Sequence, residues 1–180
     1  VAEVVQLRQA ALTKGDVVLV RFMDIAQYTG MRLAEVAQTS KASVIVQDGI
    51  QCLKVKDDAK TAASRSRVVP IAKTLLDRVD LFSVAAPVSS AYEGQEVGKR
   101  FGRLKSALGF DRQHAFHSIR KTAATVFEQA GISEGITADI VGHEKQTMTY
   151  GLYSGGTSIV QRKQAIDQFE VLMLKLEQDG

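Results

Sequence analysis

Between Ser43 and Val55 the chain carries two strand-like runs, Ser43 to Val46 and Ile50 to Val55, hinged on Asp48-Gly49. An Asp-Gly pair between β-branched runs is a strong signal for a tight hairpin turn. Val68-Val69-Pro70-Ile71 reads as a short third strand, with Pro70 suited to an edge or an end. Almost everything around these runs is patterned for helix. The expected class is therefore α+β, mainly α-helical, with one small three-stranded antiparallel sheet inserted.

The helical segments are read from apolar spacing and from breakers. Val1 to Leu12 is helical, and Lys14-Gly15-Asp16 ends it. Val17 to Tyr28 is apolar nearly all round, as a buried helix is. Gly30 stops it, and Arg32-Leu33-Ala34-Glu35-Val36 starts a short helix. Residues 56–66 read as a long polar loop, Ala72 to Phe82 as helix, and 83–98 as loop. Lys99 to Leu108, Phe116 to Ala130 and Ser133 to Val141 are the next expected helices, with Gly109 and Gly131 as stops. Ile159 to Glu177 is amphipathic, with Ile166, Phe169, Leu172, Met173 and Leu176 on one face.

A chain of 180 residues with 45% apolar content suits one domain, residues 1–180, with a real core. No apolar run is long enough to cross a bilayer, and no secretory signal is visible. The chain starts at Val1, so a piece of a longer protein with an absent N-terminal domain is expected. The single cysteine, Cys52, excludes an internal disulfide and a cysteine-built zinc site, and reads as a small buried hydrophobe. A cytosolic compartment is expected.

Net charge is +3. Its distribution says more than its size. Lys99, Arg100, Arg103, Lys105, Arg112, Arg120 and Lys121 face a single acid, Asp111, and Lys54, Lys56, Lys60, Arg65 and Arg67 form a second group. Such segments either line a polyanion or are solvated faces.

The chemistry-bearing residues are spaced in a telling way. His117-Ser118-Ile119-Arg120 places a histidine and an arginine on one helical face, near a helix N-terminus, where amide N–H groups and the helix dipole favour an anion. Gly142-His143 follows, then Tyr150 and Tyr153, and upstream stands Arg32 in Thr29-Gly30-Met31-Arg32. Arginine offers a planar fork matched to phosphate oxygens, histidine holds or moves a proton near neutral pH, and tyrosine can be a covalent nucleophile. Together these are the parts for attack on a phosphodiester.

The boxes His117-Ser-Ile-Arg-Lys-Thr-Ala-Ala-Thr-Val-Phe-Glu-Gln-Ala-Gly, Val141-Gly-His-Glu, Thr149 to Tyr153, Thr29-Gly-Met-Arg-Leu-Ala-Glu and Lys60-Thr-x-x-Ser-x-x-Arg-x-Val-Pro, in their order, resemble the catalytic domain of tyrosine recombinases, the phage integrase family. The match runs from about Val17 to Ile159. The resemblance implies that Arg32 and Arg120 clamp the non-bridging oxygens of a scissile phosphate, most strongly in the transition state. It implies that His143 adds a hydrogen bond there, that His117 helps take the tyrosine proton, and that Lys60 protonates the leaving 5′ oxygen. Tyr153 would attack and form a 3′-phosphotyrosine. Glu35 would orient Arg32 or a histidine from behind. Tyr153 follows His143 by ten residues, slightly longer than the commonest family interval. Tyr150 is the alternative nucleophile; Thr149, four residues before Tyr153, favours Tyr153.

The implied partner is double-stranded DNA, with self-association into a tetramer on it. No cofactor and no metal is implied. The implied activity is site-specific recombination or integration; a recombinase-like domain that binds without cleaving, and a type IB topoisomerase, are the alternatives. A bacterial or phage origin follows from the resemblance. The C-terminal amphipathic helix either packs on its own domain or is lent to a neighbouring subunit. Two other signals are set aside. Gly94-Gln-Glu-Val-Gly98-Lys99-Arg100 has the wrong spacing for a phosphate loop, and the three histidines lack the carboxylate or cysteine company of a zinc site. His114 reads as a loop or capping histidine.

Overall fold

The computed structural model describes residues 1–56, 66–80, 90–143 and 156–179, with backbone alone over 90–93. Among these residues eight α-helices surround one three-stranded sheet. The centre is α2 (Val17–Thr29), in which every residue from Leu19 to Thr29 except Arg21 is buried. Asp16 starts it by accepting the Leu19 amide at 3.1 Å, and Gly30 ends it in the left-handed conformation, φ 66°. A helix this apolar must be covered, and α1 (Ala2–Thr13), α3 (Leu33–Ala37), α4 (Lys73–Arg78), α5 (Ser90–Ala107) and α6 (His117–Gln129) all pack on it, leaving Val17 at its start exposed.

The hairpin forms as its turn residues require. β1 (Val44–Gln47) and β2 (Ile50–Val55) pair antiparallel from Gln47↔Ile50 to Val44↔Leu53, and Asp48 and Gly49 both take positive φ, 52° and 73°. That is the geometry whose twist matches paired strands. β3 (Arg67–Pro70) adds to the other edge of β2, from Cys52↔Pro70 to Val55↔Arg67. Pro70 closes an edge strand, as expected. Cys52 is buried, and burial pushes its thiol above the ordinary value.

Two sequence expectations are corrected. The segment from 90 to 98, read as loop, is the first half of α5. Its glycines are packing residues: a Cβ on Gly94 would lie 3.3 Å from the Ala37 Cβ, and one on Gly98 3.3 Å from the Leu33 Cδ2. Close helix–helix contact overrides their poor helix propensity. The helix expected from Ala72 to Phe82 is shorter, because Val79 turns extended (φ −130°) and buries its side chain. The expected loop at 56–66 falls mostly outside the described residues.

Past Ser133, α7 (Glu134–Val141) runs back toward α2, and α8 (Ile159–Gln178) lies across α6, α7 and the sheet. In this structure α8 packs on its own domain. Phe169 is fully buried, stacked on Phe127 at 4.1 Å and edge-on to Tyr28 at 6.2 Å. Glu170 receives the amides of Lys73 and Thr74 at the start of α4, at 3.3 and 2.5 Å. Glu177 accepts from Gln27, Tyr28 and Arg78. Burial and the Glu177 carboxylate push the Tyr28 phenol up, so it stays a hydrogen-bond donor.

Candidate active site

Five chain segments meet at one spot: the end of α2, the start of α3, the first residue of β3, the first turn of α6 and the end of α7. At the centre is the Glu35 carboxylate, whose side chain is 2% exposed. Arg67 grips it with a two-pronged fork, Nη1 to Oε1 at 2.8 Å and Nη2 to Oε2 at 2.9 Å, while Arg67 Nε donates to the Ile140 carbonyl at 2.9 Å. Arg32 approaches from the other side. Its amide donates to Oε2 at 2.7 Å, closing the first turn of α3, and its Nη1 reaches Oε1 at 3.2 Å. Burial alone would raise the Glu35 carboxyl; the hydrogen bonds and charges of Arg67 and Arg32 outweigh it and hold it below its ordinary value.

Arg120 lies beneath. Its side chain is 2% exposed. Nη1 donates to the carbonyls of Gly30 (2.8 Å) and Val141 (2.6 Å), and Nη2 to that of Gly142 (3.1 Å). These are the last carbonyls of α2 and α7, groups that a helix leaves unpaired. The Gly142 carbonyl also lies 3.4 Å from Arg32 Nη2, so both arginines share one acceptor. Arg120 Nε is buried with no partner among the described residues. An orphaned buried donor costs about 1–3 kcal/mol. Burial, then the Arg32 and Arg67 charges, push the Arg120 guanidinium down to about 10, still cationic at neutral pH.

Three guanidiniums thus surround one carboxylate, an excess of two positive charges. Gly142 makes the approach possible. It ends α7 at φ +82°, and a Cβ there would sit 2.7 Å from Arg67 Cζ. The two histidines lie at the rim, both exposed. His117 opens α6, and partial burial, then Arg120, Lys121 and Arg32, lower its pKa. His143 follows Gly142, and partial burial, then Arg120, Arg32, His117 and Arg67, lower it too. Both rings are neutral above their usual range.

Of the eight residues singled out by sequence, the structure brings together Arg32, Glu35, His117, Arg120 and His143. Lys60, Tyr150 and Tyr153 lie outside the described residues. Thr157 is anchored on α7: Asp139 accepts its amide at 2.7 Å and its hydroxyl at 2.9 Å. One expectation needs correcting. The head of α6 is not an open amide seat, since the Ser118 and Ile119 amides bond to Ala115 and Phe116. The positive character there comes from arginine side chains.

From sequence alone Arg67 is one of the second group of basic residues and carries no site role. Its place in the Lys60-to-Pro70 box and its apolar followers, Val68 and Val69, were the available signal. The basic stretch on α5 is partly spent on ion pairs, Lys99 with Glu96 and Arg100 with Asp16, while Arg103, Arg112 and Lys121 are exposed. His114 bonds to Asp111 at 2.7 Å and lies 3.3 Å from Glu3, which raises its pKa. No group of three His, Cys, Asp or Glu among the described residues is placed to hold a metal, and no described helix is long and apolar enough to cross a membrane.

A mainly helical domain with a short hairpin sheet and arginines converging from its first short helix and from a later His-x-x-Arg turn defines a class. The phage integrase family matches residues 1–156, and the chain belongs to that family. Among solved structures, the lambda integrase catalytic core is similar at 20% identity over 79% of this chain and 93% of that one, with a TM-score of 0.59. A lambda integrase dimer bound to a COC′ core site is similar at 22% identity over 92% of this chain and 46% of that one, TM-score 0.60. The XerH site-specific recombinase bound to difH substrate is similar at 18% identity over 79% of this chain, TM-score 0.54, and the match spans 46% of XerH. These likenesses establish the fold. No curated protein sequence matches the chain.

Proposed function

We propose that this chain is the catalytic portion of a longer tyrosine recombinase, a DNA-cleaving and rejoining enzyme of site-specific recombination or integration. The observation that carries the reading is the cluster of three arginines around one buried carboxylate, with two surplus positive charges and Arg32 half-exposed at its opening. A phosphodiester at that opening would meet the charge it needs from half-exposed Arg32 and from the second N–H of Arg120 Nη2, whose first goes to the Gly142 carbonyl. Arg32 and Arg120 hold the non-bridging oxygens, and His143 donates a further hydrogen bond. Tyr153 Oη attacks phosphorus, the bond to the 5′ oxygen breaks, His117 accepts or guides the tyrosine proton, and Lys60 supplies a proton to the leaving oxygen. Reversal by a partner strand's 5′ hydroxyl rejoins DNA, with no metal or cofactor needed. Tyr150 is the alternative nucleophile.

The partner is double-stranded DNA, and the working assembly is a tetramer. Support comes from relatives of the same fold: XerH bound to difH, and a lambda integrase tetramer bound to a Holliday junction. A cytoplasmic site of action in a bacterium follows for an enzyme of chromosomal or phage DNA.

The test is covalent capture. The chain is incubated with a pool of nicked random-sequence duplexes, denatured with detergent, and protein-bound DNA is recovered, amplified and reselected. Enrichment of one sequence class by the wild type, abolished in Tyr153→Phe and retained in Tyr150→Phe, is the expected result. DNA retention without any covalent adduct would instead mark a binding-only domain, and relaxation of supercoils without sequence enrichment a topoisomerase.

A further inference from the structure

Arg67 has no task in the chemistry above, yet its side chain is among the most tightly held at the site. It is 8% exposed, and its Nε, Nη1 and Nη2 each donate to Glu35 or to the Ile140 carbonyl, so the guanidinium is directed at the frame of the site. We propose that Arg67 is a positioning residue: it neutralises and fixes the Glu35 carboxylate so that Arg32 remains available to the phosphate. The inference rests on the recombinase reading of the site.

Glu35 is a shared partner. Each of its oxygens receives one short bond from Arg67, and Oε1 has only a longer, 3.2 Å contact to the Arg32 guanidinium. Arg32 is accordingly the half-free member, with 35% of its side chain exposed. If Arg67 released the carboxylate, the nearest guanidinium among the described residues would be that of Arg32 at 3.2 Å, with Arg120 at 3.9 Å held by its carbonyls. The pair would tighten, drawing Arg32 inward and away from an incoming phosphate. Arg67 also bridges two parts of the site. Its Nε bond to Ile140 and its contact with Gly142 set the end of α7. The Gly142 carbonyl there accepts from Arg120 Nη2 and lies at the edge of reach of Arg32 Nη2. Lysine cannot reproduce this, because a single ammonium has no planar fork.

The test uses Arg67→Lys, which keeps the charge and loses the fork, and the double variant Glu35→Gln/Arg67→Met, which removes both buried charges together. Three quantities are measured at a temperature where each protein is folded by urea titration. They are inorganic phosphate affinity, read from the NMR shift of the His143 ring; affinity for the duplex recovered by covalent capture; and the single-turnover rate of its cleavage. Arg67→Lys is expected to lose about tenfold in phosphate affinity and about a hundredfold in cleavage rate, the scale of an ångström-level misplacement, with duplex affinity changed less than about threefold. The double variant has no carboxylate left to capture Arg32, so it is expected to recover phosphate affinity to within about threefold of the wild type and at least about tenfold of the cleavage rate lost in Arg67→Lys, a rescue that a purely structural ion pair would not give. If Arg67→Lys binds phosphate and cleaves within about threefold of the wild type, or if the double variant recovers no phosphate affinity over Arg67→Lys, Arg67 only stabilises the fold and the proposal is overturned. If the wild type forms no covalent adduct, the recombinase reading fails, and the phosphate titration still decides the role of Arg67.

Discussion

Replacing Gly142 with alanine would separate two costs that usually arrive together. The first is conformational. Gly142 sits at φ +82°, where an L side chain costs roughly 1–2 kcal/mol. The second is collision. The added Cβ would lie 2.7 Å from Arg67 Cζ and Nη1, and this guanidinium cannot retreat, since Glu35 and Ile140 hold it through bonds of 2.8 and 2.9 Å. Moving it far enough would break at least one charge-assisted bond, about 1.5–3 kcal/mol. The expected total is about 2.5–5 kcal/mol. Gly131 supplies the control: it follows α6 at φ +74°, and a Cβ there meets nothing within 4 Å. Gly131→Ala should therefore cost the conformational part alone. Urea unfolding of the two variants gives the difference directly, provided the slopes match that of the wild type. A Gly142→Ala cost within about 0.5 kcal/mol of the Gly131→Ala cost would refute the claim that Arg67 is pinned against the end of α7.

Other expectations follow from the same packing and charges. Phe169→Ala removes a fully buried ring stacked on Phe127 and should cost about 3–5 kcal/mol in urea unfolding; a cost near 1 would mean that α8 is not docked as described. Glu170→Ala strips the acceptor from two amides at the start of α4 and should cost about 1–2 kcal/mol, with little effect on phosphate binding. Acid should weaken the fold in two stages. His117 and His143 have lowered values, so the unfolded chain takes up their protons first and stability falls as pH drops below 6.5. Glu35 is also lowered, so its contribution is intact above 4.5 and is lost as pH falls through its lower folded value. Inorganic phosphate should raise both histidine midpoints in NMR titrations, because an anion offsets the arginine charges; unchanged midpoints at saturating phosphate would place the anion elsewhere.

Much of this architecture could be read from residue patterns, for identifiable reasons. The hairpin was legible because Asp48-Gly49 has few alternatives between β-branched runs, and α2 because its apolar residues face every direction. The breaks at Lys14-Gly15-Asp16, Gly30 and Gly131 are local chemistry and show locally. Gly94 and Gly98 misled, because a glycine in a loop and a glycine at a close helix contact look alike until the partner helix, here α3, is in place. The site was legible as far as its boxes reached. Arg32, His117, Arg120 and His143 come from three distant segments that each carry a recognisable spacing. Arg67 was not legible as a site member, because its role depends on a buried carboxylate thirty-two residues away, a pairing made only by the sheet meeting α3. The unpartnered Arg120 Nε was likewise beyond any pattern, since it arises from how three helix-end carbonyls draw the Nη groups of that side chain.

The central claim is that this site makes a covalent bond between a tyrosine of this chain and DNA. The measurement that tests it most directly is mass spectrometry of the captured adduct after protease and nuclease digestion. A nucleotide phosphate on the peptide containing Tyr153, absent when Arg120 is replaced by alanine in a variant still folded by urea titration, is the expected result. No nucleotide-bearing peptide, or one whose modified residue lies outside the segment from Thr149 to Tyr153, would contradict the account.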